Sequence, residues 1–245
     1  MSALNRVMAA GLLLGSGAAR ADWFSGNAGV VSDYTFRGLD QTNGPALQGG
    51  LDYVHHSGLY GGAWLSNNRS AGSGEADLYG GYTRQLPLFG VLSATLDTGV
   101  AGYVYSGERQ AALGGPRQDF AEVYGGLGVG PASFKASFAP DYAGQGAPGW
   151  YLQGTLKYPL PAGFKLRAAL GYGGGAGVQR QTAPLTVDGI GHSYLDYGLR
   201  LSRPLPYDLT AWIEVAGTGL HLADHAQGGA NQPKFLLGLR KDFDF

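Results

Sequence analysis

Residues 164–172 read Phe164-Lys165-Leu166-Arg167-Ala168-Ala169-Leu170-Gly171-Tyr172. Phe164, Leu166, Ala168, Leu170 and Tyr172 share one parity, and Lys165, Arg167, Ala169 and Gly171 share the other. A period of two sends successive side chains to opposite faces of an extended strand, whereas a helix would mix both sets on one face. Residues 132–142 repeat it, with Phe134, Ala136 and Phe138 against Ser133, Lys135, Ser137 and Asp141. So do residues 150–158, with Trp150, Leu152, Leu156 and Tyr158 against Gln153, Thr155 and Lys157.

Extended outward, the same reading predicts twelve strands, over 26–38, 46–55, 59–67, 75–85, 90–105, 118–129, 132–142, 149–158, 163–173, 192–203, 207–219 and 233–245. Most run about 9 to 13 residues, which suits a tilted strand crossing a bilayer, whereas strands of soluble domains more often run ~5–6. Short turns (His56-Ser57-Gly58, Leu86-Pro87-Leu88-Phe89, Gly130-Pro131, Pro159-Leu160-Pro161-Ala162, Pro204-Leu205-Pro206) alternate with longer loops near 39–45, 68–74, 106–117, 143–148, 174–191 and 220–232. Such alternation predicts an all-β, transmembrane, up-and-down antiparallel β-barrel of about 12 strands, with turns and both termini periplasmic. For residues 59–66 the parity is least decisive: Leu59, Gly61, Ala63 and Leu65 compete with Tyr60, Gly62, Trp64 and Ser66.

Composition agrees. The 245 residues include 44 Gly, 15 Tyr, 10 Phe and no Cys, and 14% are charged. Glycine has no every-third-residue register, so a collagen helix is excluded, and 44% hydrophobic content argues against a disordered chain. No run of about 20 apolar residues is present to form a membrane helix. Absence of cysteine removes disulfides and thiolate metal sites. A net charge of −1 gives no basis for nucleic-acid binding. Met1 to Ala21 reads as a cleaved signal peptide, with Arg6 in the leader, an apolar stretch from Val7 to Gly17, and the small-x-small site Ala19-Arg20-Ala21. Residues 22–245 are then the outer-membrane β-barrel.

Charge placement separates a barrel from a soluble sandwich. No Asp, Glu, Lys or Arg occupies the central apolar-parity positions of the twelve segments, and Arg84 and Lys241 fall near strand ends, where a lipid-facing charge costs least. Tyr142, Trp150 and Tyr172 lie toward the long loops, and Tyr158, Phe164, Tyr207 and Phe243 toward the turns, which predicts two aromatic girdles. The chain ends Lys241-Asp242-Phe243-Asp244-Phe245. Phe243 and the terminal Phe245, with alternating apolar residues before them, resemble the signal read by the outer-membrane insertion machinery. Expected partners are therefore that machinery, outer-membrane lipid and small polar solutes.

The opposite parity is expected to line the lumen. Its acidic members are Asp33, Asp52, Asp77, Asp97, Glu122, Asp196 and Glu214; its basic members are Arg37, Lys135, Lys157, Lys165, Arg167, Arg200 and Arg240. Early strands are mainly acidic and strands seven to nine are basic, so an acidic wall should face a basic wall and impose a transverse field on a narrow lumen. Inward glycines at 50, 81, 99, 126, 128 and 171 should widen it. This predicts an outer-membrane, porin-like channel passing small polar or charged solutes by diffusion, without a cofactor. The alternative is a closed structural or adhesive barrel whose charges pair across the interior.

The segment Gly26-Asn27-Ala28-Gly29-Val30-Val31-Ser32-Asp33-Tyr34-Thr35-Phe36-Arg37-Gly38, with Gln41, Pro45-Ala46-Leu47-Gln48-Gly49 and Asp52-Tyr53, resembles the TorF family of porin-like proteobacterial outer-membrane proteins. Glu75-Ala76-Asp77-Leu78-Tyr79-Gly80-Gly81-Tyr82 is similar to a second block of that family. The resemblance implies a porin-like protein and no particular substrate. Asp33, Arg37, Gln48 and Asp52 are its matched polar positions; they are expected inward on the first two strands, as a lumenal hydrogen-bond cluster or as a register-setting Asp–Arg pair.

Enzymatic readings are weaker. His56-Ser57 and His192-Ser193 are the His–Ser pairs open to an outer-membrane lipid hydrolase, but neither comes with a pattern assigning nucleophile and acid. His221, Asp224 and His225 have the spacing of a loop metal site without a helix to align the imidazoles, so no metal centre is expected. The glycine-rich run Gly171 to Gly177 is expected to have no following helix, and it lacks the Lys-Ser/Thr of a phosphate loop.

Overall fold

The computed structural model describes residues 22–68, 74–88, 92–106, 118–223 and 233–245. The segment expected to be a leader, residues 1–21, lies outside them. In chain order the strands are β1 (Trp23–Val31), β2 (Thr35–Phe36), β3 (Leu39–Asp40), β4 (Ala46–Val54), β5 (Leu59–Ser66), β6 (Glu75–Leu88), β7 (Leu92–Tyr105), β8 (Phe120–Val129), β9 (Ala132–Ala139), β10 (Gly149–Pro159), β11 (Lys165–Gly174), β12 (Tyr194–Leu205), β13 (Leu209–Thr218) and β14 (Lys234–Asp244). Apart from the small β2–β3 hairpin, they form one closed barrel of twelve strands in sequence order. Closure pairs β1 with β14 antiparallel, from Ser25 opposite Asp244 to Val31 opposite Gly238. The start of β1 and the end of β14 thus lie at the rim that holds the short turns.

The period-two pattern becomes two faces. Along β8, Phe120, Glu122, Tyr124, Gly126 and Gly128 are buried while Ala121, Val123, Gly125 and Leu127 are exposed. On β5 the undecided parity resolves with Leu59 and Leu65 outward and Tyr60, Trp64 and Ser66 buried. Leu47, Leu65, Leu78, Leu170, Leu199, Ile213 and Leu237 are all at least half exposed on the outer face. An apolar belt right around the barrel far exceeds the patches a soluble monomer displays, and it is the surface of a membrane span. Leu170→Arg, at mid-strand on that belt, should cost about 2–4 kcal/mol if the residue lies near the bilayer midplane. The check is loss of heat-modifiable gel migration relative to wild type; an undiminished folded fraction would remove Leu170 from the lipid face.

Four of the inward glycines do not widen the barrel. Each accommodates an aromatic ring from the neighbouring strand, with Tyr60 over Gly81, Tyr124 over Gly99, Tyr151 over Gly171 and the edge of Trp64 over Gly50, as Tyr79 lies over Gly62; a Cβ at Gly128 would meet no ring. A side chain at the covered positions would collide with the ring, so glycine and tyrosine are used together to pack one side of the interior.

Four further expectations are corrected. The first strand ends at Val31, not residue 38, because residues 32–45 turn into the barrel. Leu86 to Leu88 extend β6, pairing with Leu92 to Ala94, so the corner falls at residues 89–91, outside the described set. Tyr142 is buried, so it belongs to the interior and not to a girdle, whereas Trp150 and Tyr172 do meet, with ring centroids 5.3 Å apart. A helix does follow the glycine run: α1 (Ala176–Thr182) is too short to show a 3.6-residue period and is fixed by burial of Val178.

Candidate solute pathway

Asp33 and Arg37 are not on a barrel wall. They belong to the inward loop, whose β2–β3 hairpin turns at Arg37-Gly38 with φ of 51° and 75°. Two consecutive positive φ values make a tight hairpin turn. Gly38 is required twice over, since a Cβ would also press on Asp196 and on the Gly217 carbonyl oxygen. The Asp40 carboxylate accepts the backbone N–H groups of Thr42 (3.0 Å) and Asn43 (2.8 Å), closing the returning arm.

Long-range contacts hold this loop in the lumen. Arg37 donates to Glu122 at 2.7 Å and to the Tyr142 hydroxyl at 3.3 Å, and its guanidinium lies 4.3 Å from the Tyr151 ring centroid. Lys234 donates to Asp33 at 2.7 Å and also to Asp40. Tyr34 donates to Glu75 at 3.2 Å and meets Trp64 edge-on, with centroids 5.4 Å apart. The four residues matched to the TorF pattern therefore do not form one cluster. Gln48 reaches Ser66 at 3.5 Å and Asp52 accepts from Tyr79, while Asp33 and Arg37 pair with Lys234 and Glu122.

Asp52, Glu75, Asp77, Asp97 and Glu122 come from β4 to β8, and Lys135, Lys157, Arg167 and Arg200 from β9 to β12 together with Asp196, and the two sets meet different surroundings. Asp52 accepts from Tyr79, Asp97 from Tyr60, Glu122 from Tyr103 (2.9 Å), and Glu75 from Asn68 (2.7 Å). Asp52, Asp77 and Asp97 are buried in this tyrosine-filled half and do not border the open space. Their inward parity is unchanged, with tyrosine hydroxyls against the Asp52 and Asp97 carboxylates.

The open space lies on the other side, a polar cavity of about 120 Å³ bounded by Asp33, Arg37, Glu122, Lys135, Arg167, Asp196, Arg200 and Glu214, with Gln48, Gln153, Tyr151 and Trp212 between them. Arg200 donates to Glu214 at 2.8 Å through Nε and lies 4.8 Å from the Trp212 ring centroid. Tyr151 donates to Asp196 at 2.8 Å. Lys157 and Arg240 share the inward parity without bordering this cavity, Arg240 pairing with Asp242 at 2.9 Å, and Lys165 is exposed at the turn-side rim. Gln153 and Trp212 are the additions that a strand-parity reading leaves unassigned.

The His–Ser pairs do not assemble a hydrolase site. His56 contacts Asp22 at 3.0 Å, and Ser57 Oγ contacts His55 Nδ1 at 2.8 Å, leaving His55 Nε2 4.0 Å from Asp22, too far to be oriented by it. Hydrogen bonds from Tyr53 and His56 hold the Asp22 carboxyl well below the usual carboxylate range. They fasten the start of β1 to the first turn. His192 contacts Asp188 at 3.0 Å, and the Ile190 N–H together with His192 lowers that carboxyl to about 2. Of the His221-Asp224-His225 set, Asp224 and His225 lie outside the described residues.

Similarity to known proteins matches this architecture. The KdgM porin superposes with a TM-score of 0.53 at 10% identity, covering 90% of this chain and 98% of the porin. A structure described as KdgM porin in complex with disordered oligogalacturonate gives 0.51 at 10% identity with the same coverage. The NanC porin gives 0.53 at 12% identity, again covering 90% and 98%. At such identities the likeness is one of fold, that of outer-membrane porins. No curated protein sequence matches significantly. A family model, described as "Bacterial protein of unknown function (Gcw_chp)", matches residues 16–215. With most of its length matched, this barrel, its inward hairpin included, belongs to the Gcw_chp family.

Proposed function

We propose that the protein is a narrow outer-membrane channel through which small polar or charged solutes diffuse down their gradient, as the TorF resemblance also implies. The observation that supports it most is the polar cavity of about 120 Å³ inside a closed barrel with an apolar exterior, bordered by eight Asp, Glu, Lys and Arg side chains. In this reading residues 1–21 are removed on export, Phe243 and Phe245 present the insertion signal, lipid surrounds the barrel, and the rim with both termini faces the periplasm. The oligogalacturonate in one KdgM structure shows that a barrel of this fold admits a polar solute. The role is non-enzymatic: the lumen orients and filters, and no bond is made or broken.

A cavity this small, narrowed by residues 32–45, gives low conductance. Planar-bilayer recording of the purified full chain tests the reading, with small steady steps expected. The tyrosine-packed acidic half favours a second reading, a closed structural barrel, and persistent silence of folded protein would decide for it.

A further inference from the structure

The two halves of the interior satisfy their polar groups unequally. On the acidic side, tyrosine and asparagine donors reach Asp52, Asp97, Glu75 and Glu122. On the basic side the carboxylates Asp196 and Glu214 border the cavity, with Tyr151 and Arg200 as their hydrogen-bond donors. Arg37 and Arg200 have carboxylate partners, but Lys135, Lys157 and Arg167 take part in none of the ion pairs seen among the described residues.

Arg167 is the sharpest case. It borders the cavity, and its buried Nε has no hydrogen-bond partner. In register it stands directly between Lys157 on β10 and Arg200 on β12, so three cations lie side by side across three strands. Like charges directly opposite one another destabilise a sheet, and an unfilled guanidinium donor adds to that penalty. Water fills a donor but leaves the repulsion; an oxyanion removes both. Lys135, the other cavity cation without a carboxylate, has Nζ 3.7 Å from the Tyr124 ring centroid, a weaker contact than an ion pair.

We propose that the cavity is a binding site for the carboxylate or phosphate group of a small anionic solute, held by the Arg167 guanidinium, with Lys135 on the same cavity lining adding positive charge. The fork of the guanidinium matches either planar carboxylate or phosphate oxygens. Asp196 and Glu214 border the same space, which restricts entry to solutes whose remainder is hydroxylated or cationic and disfavours a second bare anionic group. The inference rests on the channel reading only for how the solute enters and leaves.

Trp212 borders the cavity and serves as reporter. Detergent-purified full chain is titrated with sodium acetate, and separately with sodium phosphate, at constant ionic strength against sodium chloride, following tryptophan emission; reversal potential is then read in bilayers. A saturable emission change with at least one probe is expected, acetate assigning a carboxylate and phosphate a phosphate. In Arg167→Gln the affinity should fall about tenfold, the loss expected for a charged hydrogen bond. Lys135→Gln should weaken binding too and replaces the first variant if that does not fold. Saturable binding without current would keep the site and remove the channel. Current with no saturable response to either probe, or an unchanged affinity in both folded variants, would overturn the site and leave the channel standing.

Discussion

Arg37→Ala is expected to raise single-channel conductance several-fold. Arg37 is the cross-brace of the inward hairpin, reaching Glu122 and Tyr142 on the far side of the barrel. Both members of the Arg37–Glu122 pair are nearly inaccessible, with side-chain exposures of 7% and 2%. Removing one partner of a buried pair costs about 3–5 kcal/mol, since the other is left as an uncompensated charge. That energy is concentrated in the contact holding the loop across the lumen, so the loop should be released before the barrel wall opens. Larger current steps and faster proteolysis within residues 32–45 should appear together, with gel migration of the barrel unchanged. Unchanged conductance in folded Arg37→Ala would show that the hairpin is not the constriction. Glu122→Gln should move conductance in the same direction by less, because Gln retains an acceptor for Arg37.

Gly81→Val should prevent the barrel from closing. A Cβ there would overlap the Thr98 carbonyl oxygen, a backbone atom with no room to retreat, and the Tyr60 ring. Overpacking alone costs about 1–3 kcal/mol. Expelling Tyr60 also strips Asp97 of its hydroxyl donor, at roughly another 1–3 kcal/mol. A combined loss of this size takes a large share of a typical folding free energy. Gly154→Val is the control, since a Cβ at Gly154 meets nothing within 4 Å on the exposed face of β10. Refolding into lipid or detergent, scored by heat-modifiable migration, should fail for the first and succeed for the second. Equal yields would refute the ring-over-glycine account of the interior.

The two glycines occupy similar alternating stretches and differ locally only in parity. Parity alone assigns Gly81 inward and Gly154 outward, which is correct, yet it treats an inward glycine as free volume. Whether a ring covers it depends on the partner strand, here Tyr60 opposite Gly81. Cross-strand register is a pairing property, so the packed acidic half was invisible from single-strand patterns.

What the amino-acid sequence determined by itself is everything that repeats at short range. Alternation of apolar and polar residues, turn chemistry and absence of charge at outward positions are local quantities, and they sufficed for the closed antiparallel barrel, its twelve strands and nearly all their bounds. Only the tertiary structure decided where residues 32–45 go. Asp33-Tyr34-Thr35-Phe36-Arg37 continues the strand-like composition before it, yet its partners are Glu75, Glu122, Tyr142 and Lys234, separated from it by 41 to 201 positions. A free hairpin of that length would favour water; burying it becomes favourable once three distant strands and the turn at Tyr142 bring those opposite charges and aromatic rings to one place.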